Sequence, residues 1–289
     1  MLADAAPLPP IDYLAIGHIC HDLAPDGRTT GGAAAYGAST ARALGCRAGI
    51  VTSAAAEDNW QASFPELAVH QAVAPATTVF ENVYTPAGRI QTIHAVASDI
   101  NPGHIPSAWT RTPIVHLGPI ANEVDPAIIN LFSDSVVGVG PQGWMRRWDH
   151  AGHVHQVAWE TAADVLPLAA VTFVSLEDLA DRAMLDDYRQ LARILVVTAG
   201  PEGCTVSCRG ETRSFRAPVV GVVDTTGAGD IFAAAYLVRL HQTDGNLWDA
   251  AEFANRVAAR SVTQLGLLSK MDALRRLLDE LMHLPAGSR

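Results

Sequence analysis

Short apolar runs recur along the chain, separated by stretches whose apolar residues follow a helical spacing. Ile11–Gly17 (IDYLAIG) reads as a buried strand that stops at a glycine. Gly31–Gly45 opens on two glycines and continues as an Ala-rich helix halted by Gly45. Ala48–Ser53 is the next strand, and Ile114–Leu117, Val136–Val139, Val171–Val174 and Ile194–Thr198 repeat the theme. Strands alternating with helices predict a mostly parallel central sheet covered on both faces, a three-layer α/β/α fold.

Two segments break the rhythm. Thr77–Tyr84 and Arg89–Val96 alternate apolar and polar residues around Thr85-Pro-Ala-Gly88, which is a hairpin signal. The polar stretch Asp22–Thr30 separates the first strand from the first helix. Together, 22–30 and 77–96 predict a small β lid inserted into one domain spanning 1–289, and early insertions of this kind cover substrates.

The 289 residues are 49% apolar and 17% charged, enough to build a sizeable core. The net charge of −10 repels phosphate backbones, so nucleic acid is not an expected partner. Backbone N–H groups can still bind a small anion whatever the global charge. Cys204 and Cys208 fall on one face of an alternating stretch with no further ligands at metal-binding spacing, so they and Cys20 and Cys46 read as reduced thiols. Met1–Pro10 reads as a loose terminus rather than a signal peptide, and no run reaches membrane-spanning length. The expected location is the cytoplasm.

Asp224-Thr-Thr-Gly-Ala-Gly-Asp230 carries the strongest chemical signal. Its small residues free the backbone to curl, and Ile231–Leu240 (IFAAAYLVRL) follows as a helix apolar nearly all round, hence buried. A small-residue loop feeding a helix N-terminus binds anions, because free N–H groups and the positive dipole end converge there. Asp230 in the first turn can accept a proton from an attacking hydroxyl while Gly227, Ala228 and Gly229 amides stabilise developing charge. A Gly-Ala-Gly-Asp tetrapeptide alone would read first as a tight turn with Asp230 as helix N-cap.

The whole heptapeptide with its buried helix resembles the second signature of the PfkB (ribokinase-like) carbohydrate kinases, and the resemblance runs along most of the chain. Gly31-Gly32 is similar to the family's N-terminal di-glycine, which approaches the substrate, and Asp22 matches its aspartate for substrate hydroxyls. Val197-Thr-Ala-Gly-Pro-Glu-Gly203 resembles the T-x-G-x-x-G stretch along the nucleotide phosphates, which assigns Thr198, Gly200 and Gly203 to the nucleotide. Asn255 and the helix through Thr263 fall where the family closes over adenine and ribose. Gly17-His-Ile-Cys-His-Asp22, Gly31-Gly32-Ala-Ala-Ala35 and His116-Leu-Gly-Pro119 look closest to the inositol kinase branch. The resemblance implies ATP with Mg²⁺ as donor and a small polyol, sugar or nucleoside as acceptor. Ser175-Leu-Glu-Asp178 stands where the family carries N-x-x-E, so Asp178 and Glu177 are the carboxylates expected to reach Mg²⁺ through water. Asp224 and Thr226 match positions that bind a monovalent cation such as K⁺ in some members. Tyr36 replaces an asparagine found in many sugar kinases. A homodimer through exposed lid strands is a further expectation.

Other signals are weaker. Gly138-Val-Gly-Pro-Gln-Gly143 fits a dinucleotide fingerprint, but Pro141 has no amide to offer a pyrophosphate. A Walker loop is excluded, since the sole lysine is Lys270. Asp149-His-Ala-Gly-His-Val-His155 reads as a solvated turn between two strands. Arg146 and Arg147 read as surface charge, and His18 and His21 as pocket residues beside Asp22. A nucleoside kinase of the same fold and a catalytically silent sugar sensor remain alternatives, the latter because of the altered Ser175–Asp178 stretch.

Overall fold

The computed structural model describes residues 8–24, 27–85 and 88–283. Most of the expected loose terminus, and Pro86 and Ala87 of the expected turn, lie outside the described residues. In chain order the elements are β1 (Tyr13–Ile16), β2 (Cys20–Ala24), β3 (Gly27–Gly31), α1 (Ala33–Ala43), β4 (Ala48–Ala55), α2 (Trp60–Ser63), β5 (Ala68–Ala74), β6 (Thr78–Thr85) and β7 (Gly88–Ala95). Then come β8 (Ile114–Leu117), β9 (Val136–Val139), β10 (Arg146–Trp148), β11 (Val154–Gln156), α3 (Ala162–Val165), β12 (Val171–Ser175), α4 (Met184–Leu191) and β13 (Ile194–Thr198). The chain closes with β14 (Cys204–Cys208), β15 (Glu211–Phe215), α5 (Ala228–Gln242), α6 (Leu247–Ser261) and α7 (Leu267–Met282).

Nine strands form the central sheet in the order β15-β14-β13-β12-β9-β8-β1-β4-β5. The seven from β13 to β5 run parallel, and β14 and β15 add an antiparallel edge. β1 and β8 are buried along their whole length, as expected of strands covered on both faces. Tyr13 and Ala15 pack into one core with α1, α5, α6 and α7, whereas Leu14 and Ile16 join a second core that includes α3 and α4. The result is a three-layer α/β/α architecture. Helix α5 buries residues on every side, which matches its uninterrupted apolar sequence.

A separate four-stranded sheet, β3-β2-β6-β7, stands on this body as the lid. Its central pairing, β2 with β6, is parallel, and hairpins β2–β3 and β6–β7 flank it. Phe80, Ile93 and Cys20 pack beneath it against Ala33, Ile120 and Ala121. Val83 and Ile90 face each other across β6 and β7 and are about half exposed. No helix among the described residues is long and apolar enough to cross a membrane.

Candidate active site

Loops at the carboxyl ends of the parallel strands converge where the lid meets the sheet, the place open α/β sheets use for ligands. The 224–230 loop enters α5 through Gly227, whose φ of 72° is left-handed and open to glycine at little cost. The ring of Tyr36, on α1, lies directly under Gly227, so a Cβ there would run into it. Tyr36 is buried and props the loop. Thr225, Thr226 and Gly229 are exposed, and nothing lies within 4 Å of where a Gly229 Cβ would be. The loop therefore faces open space.

The first four N–H groups of α5, from Gly227 to Asp230, precede the first helical hydrogen bond, Ile231 N–H to Gly227 O at 2.9 Å. One of them is turned away. The Ala228 amide donates to the Thr225 carbonyl (3.1 Å), because the left-handed Gly227 tightens the entry turn. The anion cradle expected at Gly227, Ala228 and Gly229 thus rests on the two glycines and the Asp230 amide.

Asp230 is half-buried, and its carboxyl is pushed up to about 7. Burial is the main cause, the Asp178 carboxylate adds to it, and the Arg146 guanidinium opposes both. Asp22, on β2, lies against Gly31, leaving no room for a Cβ at that glycine. Gly32, with φ of 100°, packs on the His18 carbonyl in the same way. The di-glycine thus lets the backbone pass between Asp22 and the start of α1. Burial pushes the Cys20 thiol up, and Asp22, Glu123, Arg146 and Asp230 all act on it electrostatically, so these charges lie in one neighbourhood.

A cleft of about 420 Å³ opens beside them, lined among others by Gln91 of the lid, Arg146, His155, Gln142 and Asp178. Asp230 is not among its lining residues, although both Arg146 and Asp178 reach it electrostatically. Gln142 Nε2 donates to Asp178 Oδ1 at 2.9 Å. Glu177 is exposed, and its carbonyl accepts from Gln156, so Asp178 is the carboxylate of this pair that lines the cleft. Among the described residues no three His, Cys, Asp or Glu side chains gather as a metal site. Asp178 is the single carboxylate lining the cleft, which fits an ion brought mainly by a ligand rather than one held by the protein alone.

Thr198 ends β13, and its carbonyl accepts from Leu176 N–H at 3.0 Å, tying the two strand-end loops together. Gly200 is exposed with φ of 56°, and Gly203, with φ of 95°, packs on the Phe215 carbonyl. Asn255 departs from expectation. It is buried, and its amide donates to the Phe215 carbonyl (3.2 Å) and the Cys204 thiol (3.5 Å), bracing the sheet edge.

Arg146 is the residue that sequence reasoning placed wrongly. It is only 7% exposed, donates to the Ile120 carbonyl (3.1 Å) and sits 5.8 Å from the Phe80 ring centroid. The signal lay in the strand period: Arg146 and Arg147 point to opposite faces, and Arg147 is the one that reaches the exposed Glu160 (3.6 Å). His18 also differs, being fully buried with its ring nitrogens on Thr78 Oγ1 (2.8 Å) and the Ser98 carbonyl (3.0 Å). His21 pairs with Asp58 at 3.0 Å, tying the lid to the loop after β4. At the seat expected for a monovalent cation, the oxygens of Asp224 and Thr226 converge on the Lys270 ammonium.

About nine-tenths of the chain superposes on ribokinase-family structures. A pyrophosphate-dependent kinase of that family, complexed with a pyrophosphate analog and myo-inositol, matches with a TM-score of 0.77 at 23% identity, covering 90% of this chain and 98% of that one. A sugar kinase from Pyrococcus horikoshii in complex with ATP matches with a TM-score of 0.70 at 18% identity, covering 91% and 99%. The fold is ribokinase-like.

Residues 156–274 match the pfkB family carbohydrate kinase model, which bears out the resemblance read from the motifs. Over 119 residues the chain is 35% identical to probable fructokinase-5 of Arabidopsis thaliana (37% of this chain, 36% of that protein). It is 28% identical to the ribokinase of Staphylococcus aureus (40% and 37%). The matched segment spans little more than a third of the length of these curated relatives.

Proposed function

We propose that this protein transfers the terminal phosphoryl group of ATP to a hydroxyl of a small polyol or sugar, an inositol-like ring being favoured. The observation that carries the reading is the exposed amide cradle at the start of α5, beside a carboxyl whose pKa is raised to about 7. A base is most effective when its pKa lies near the working pH. The acceptor hydroxyl would lie between Asp22 and Asp230, with the γ-phosphate over Gly227–Gly229. Asp230 takes the hydroxyl proton as the oxygen attacks in line, and the first-turn amides with Arg146 meet the charge that develops. Magnesium held by the phosphates would neutralise charge there, reached through water by Asp178. Thr198, Gly200 and Gly203 border the donor phosphates.

For the nucleoside end, Val223 and Asp224 N–H groups pin the loop to the Val262 carbonyl, and exposed Val222, Val223 and Leu265 offer apolar surface near that junction. The exposed Val83–Ile90 pair on the lid suits pairing of two lids in a homodimer. The neighbour solved with a pyrophosphate analog and myo-inositol makes pyrophosphate the donor to test beside ATP.

The test is a coupled assay for ADP release, and for orthophosphate with pyrophosphate as donor, over inositols, pentoses, hexoses and nucleosides with magnesium. Acceptor-dependent release that disappears in Asp230→Asn supports the reading. Silence with every acceptor and both donors sinks it and leaves a sugar-binding sensor, which calorimetric binding of the same panel would reveal.

A further inference from the structure

Lys270 is the only lysine of the chain; the other 19 of its 20 Lys and Arg residues are arginine. It lies in the first turn of α7 and is completely buried. Its Nζ donates to the Asp224 carbonyl (2.8 Å) and the Thr226 carbonyl (2.6 Å), and lies 3.1 Å from Asp224 Oδ2. Three donors meet three oxygens, so the ammonium is saturated. The Tyr36 ring centroid is 5.9 Å away on another side.

The shape of this seat explains the residue type. Oxygens of two backbone carbonyls and one carboxylate converge on a point, and a compact ammonium with three tetrahedral donors fits where a planar guanidinium fork does not. The same oxygen set would suit a bare monovalent cation. The carboxylate is fully engaged as well: Asp224 Oδ1 accepts from Thr226 N–H (2.8 Å), and Oδ2 accepts from Gly266 N–H (3.1 Å) at the N-terminus of α7. Burial alone would raise the Asp224 carboxyl, but these hydrogen bonds and the Lys270 charge hold it below the usual range.

The clamp has a mechanical effect. Fixing the carbonyls of residues 224 and 226 sets the bend that lets Gly227 turn left-handed over Tyr36, which aims the first-turn amides outward.

We infer that Lys270 is a built-in replacement for a monovalent cation, a positioning residue whose ammonium holds the anion-binding loop so that the protein works without K⁺. The activity consequence rests on the kinase reading; the stability consequence does not. Removing the side chain while leaving the oxygens creates a seat that a small external cation can enter.

The experiment compares wild type, Lys270→Ala and Lys270→Met in choline, sodium, potassium and ammonium chloride at one ionic strength, reading Tm and ADP release. Wild type should give the same Tm and turnover in all four salts. Lys270→Ala should have a lower Tm and lose turnover on the order of 10²-fold in choline, because the loop is misplaced. Potassium or ammonium should restore part of both. Lys270→Met, whose side chain fills the seat, should not be restored by any salt.

Wild type specifically activated or stabilised by potassium would overturn the inference. So would a Lys270→Ala protein that matches its parent in choline, or whose Tm no cation moves. If Lys270→Ala does not fold, the wild-type comparison between potassium and choline decides. Wild type that releases neither ADP from ATP nor orthophosphate from pyrophosphate with any acceptor removes the kinase reading, and the Tm measurements still judge Lys270.

Discussion

Asp230→Asn separates two effects that a base in a half-buried site must combine. The folded carboxyl titrates at about 7 against an ordinary value of 3.8, a difference of about three units. At about 1.4 kcal/mol per unit, this bounds the cost of carrying the charge in the free protein at roughly 4 kcal/mol. Solvent still reaches the side chain, and screening reduces the realised cost to about 1–2 kcal/mol. Because the folded pKa is raised, the native state holds this proton more tightly than the unfolded chain does. The wild-type protein is therefore unaffected below about pH 4, loses stability as pH rises from about 4 to about 7, and stays lowered above. Asparagine is neutral throughout and has nearly the same shape. Differential scanning fluorimetry without nucleotide should give Asp230→Asn a Tm advantage at pH 8 of roughly 2–3 °C, shrinking towards zero near pH 4.5. Turnover should fall by about 10²–10⁴-fold in the same protein. A Tm difference independent of pH, or a variant less stable than its parent at pH 8, would refute the burial argument.

Three further outcomes follow from the site. Gly227→Ala forces a Cβ onto the Tyr36 ring at a left-handed φ, so it should lose at least about 1–2 kcal/mol in urea unfolding together with most of its turnover; full activity would show that the turn relaxes freely. Arg146 lowers the Asp230 pKa, so Arg146→Met should move the acid limb of the kcat/KM profile to higher pH and reduce the rate; an unmoved limb would remove Arg146 from the site. Asp58→Ala cuts the ties of the loop after β4 to His21 and Thr77, and should raise the acceptor KM several-fold with a smaller change in kcat; unchanged steady-state constants would mean the lid is held elsewhere.

The parallel strands and α1 were legible because their patterns are local. β1 and β8 are short apolar runs, and Gly32 and Gly45 mark the ends of α1. The loop into α5 was legible for the same reason, since glycines and an all-round apolar helix announce themselves within 17 residues of sequence, from 224 to 240. β5 escaped notice. Ala68–Ala74 is a partly exposed edge strand with His70 and Gln71 at its centre, and its identity comes from pairing with β4. Arg146 and Lys270 escaped for a deeper reason. A charge reads as surface until the fold supplies partners far along the chain: Ile120 and Phe80 for one, Asp224 and Thr226 for the other. The contacts of Asn255 were equally out of reach, because its motif position says nothing of the Phe215 carbonyl that accepts from its amide.

Helix α1 begins where the β2–β3 hairpin ends, and one turn later its Tyr36 supports the 224–230 loop. On the proposed reading, one stiff rod therefore touches both ligand positions. Whatever ordering the acceptor imposes on Gly31 and Gly32 is felt by the donor, and thermodynamic reciprocity then requires each ligand to tighten or loosen the other by the same factor. The two substrates should not bind as strangers.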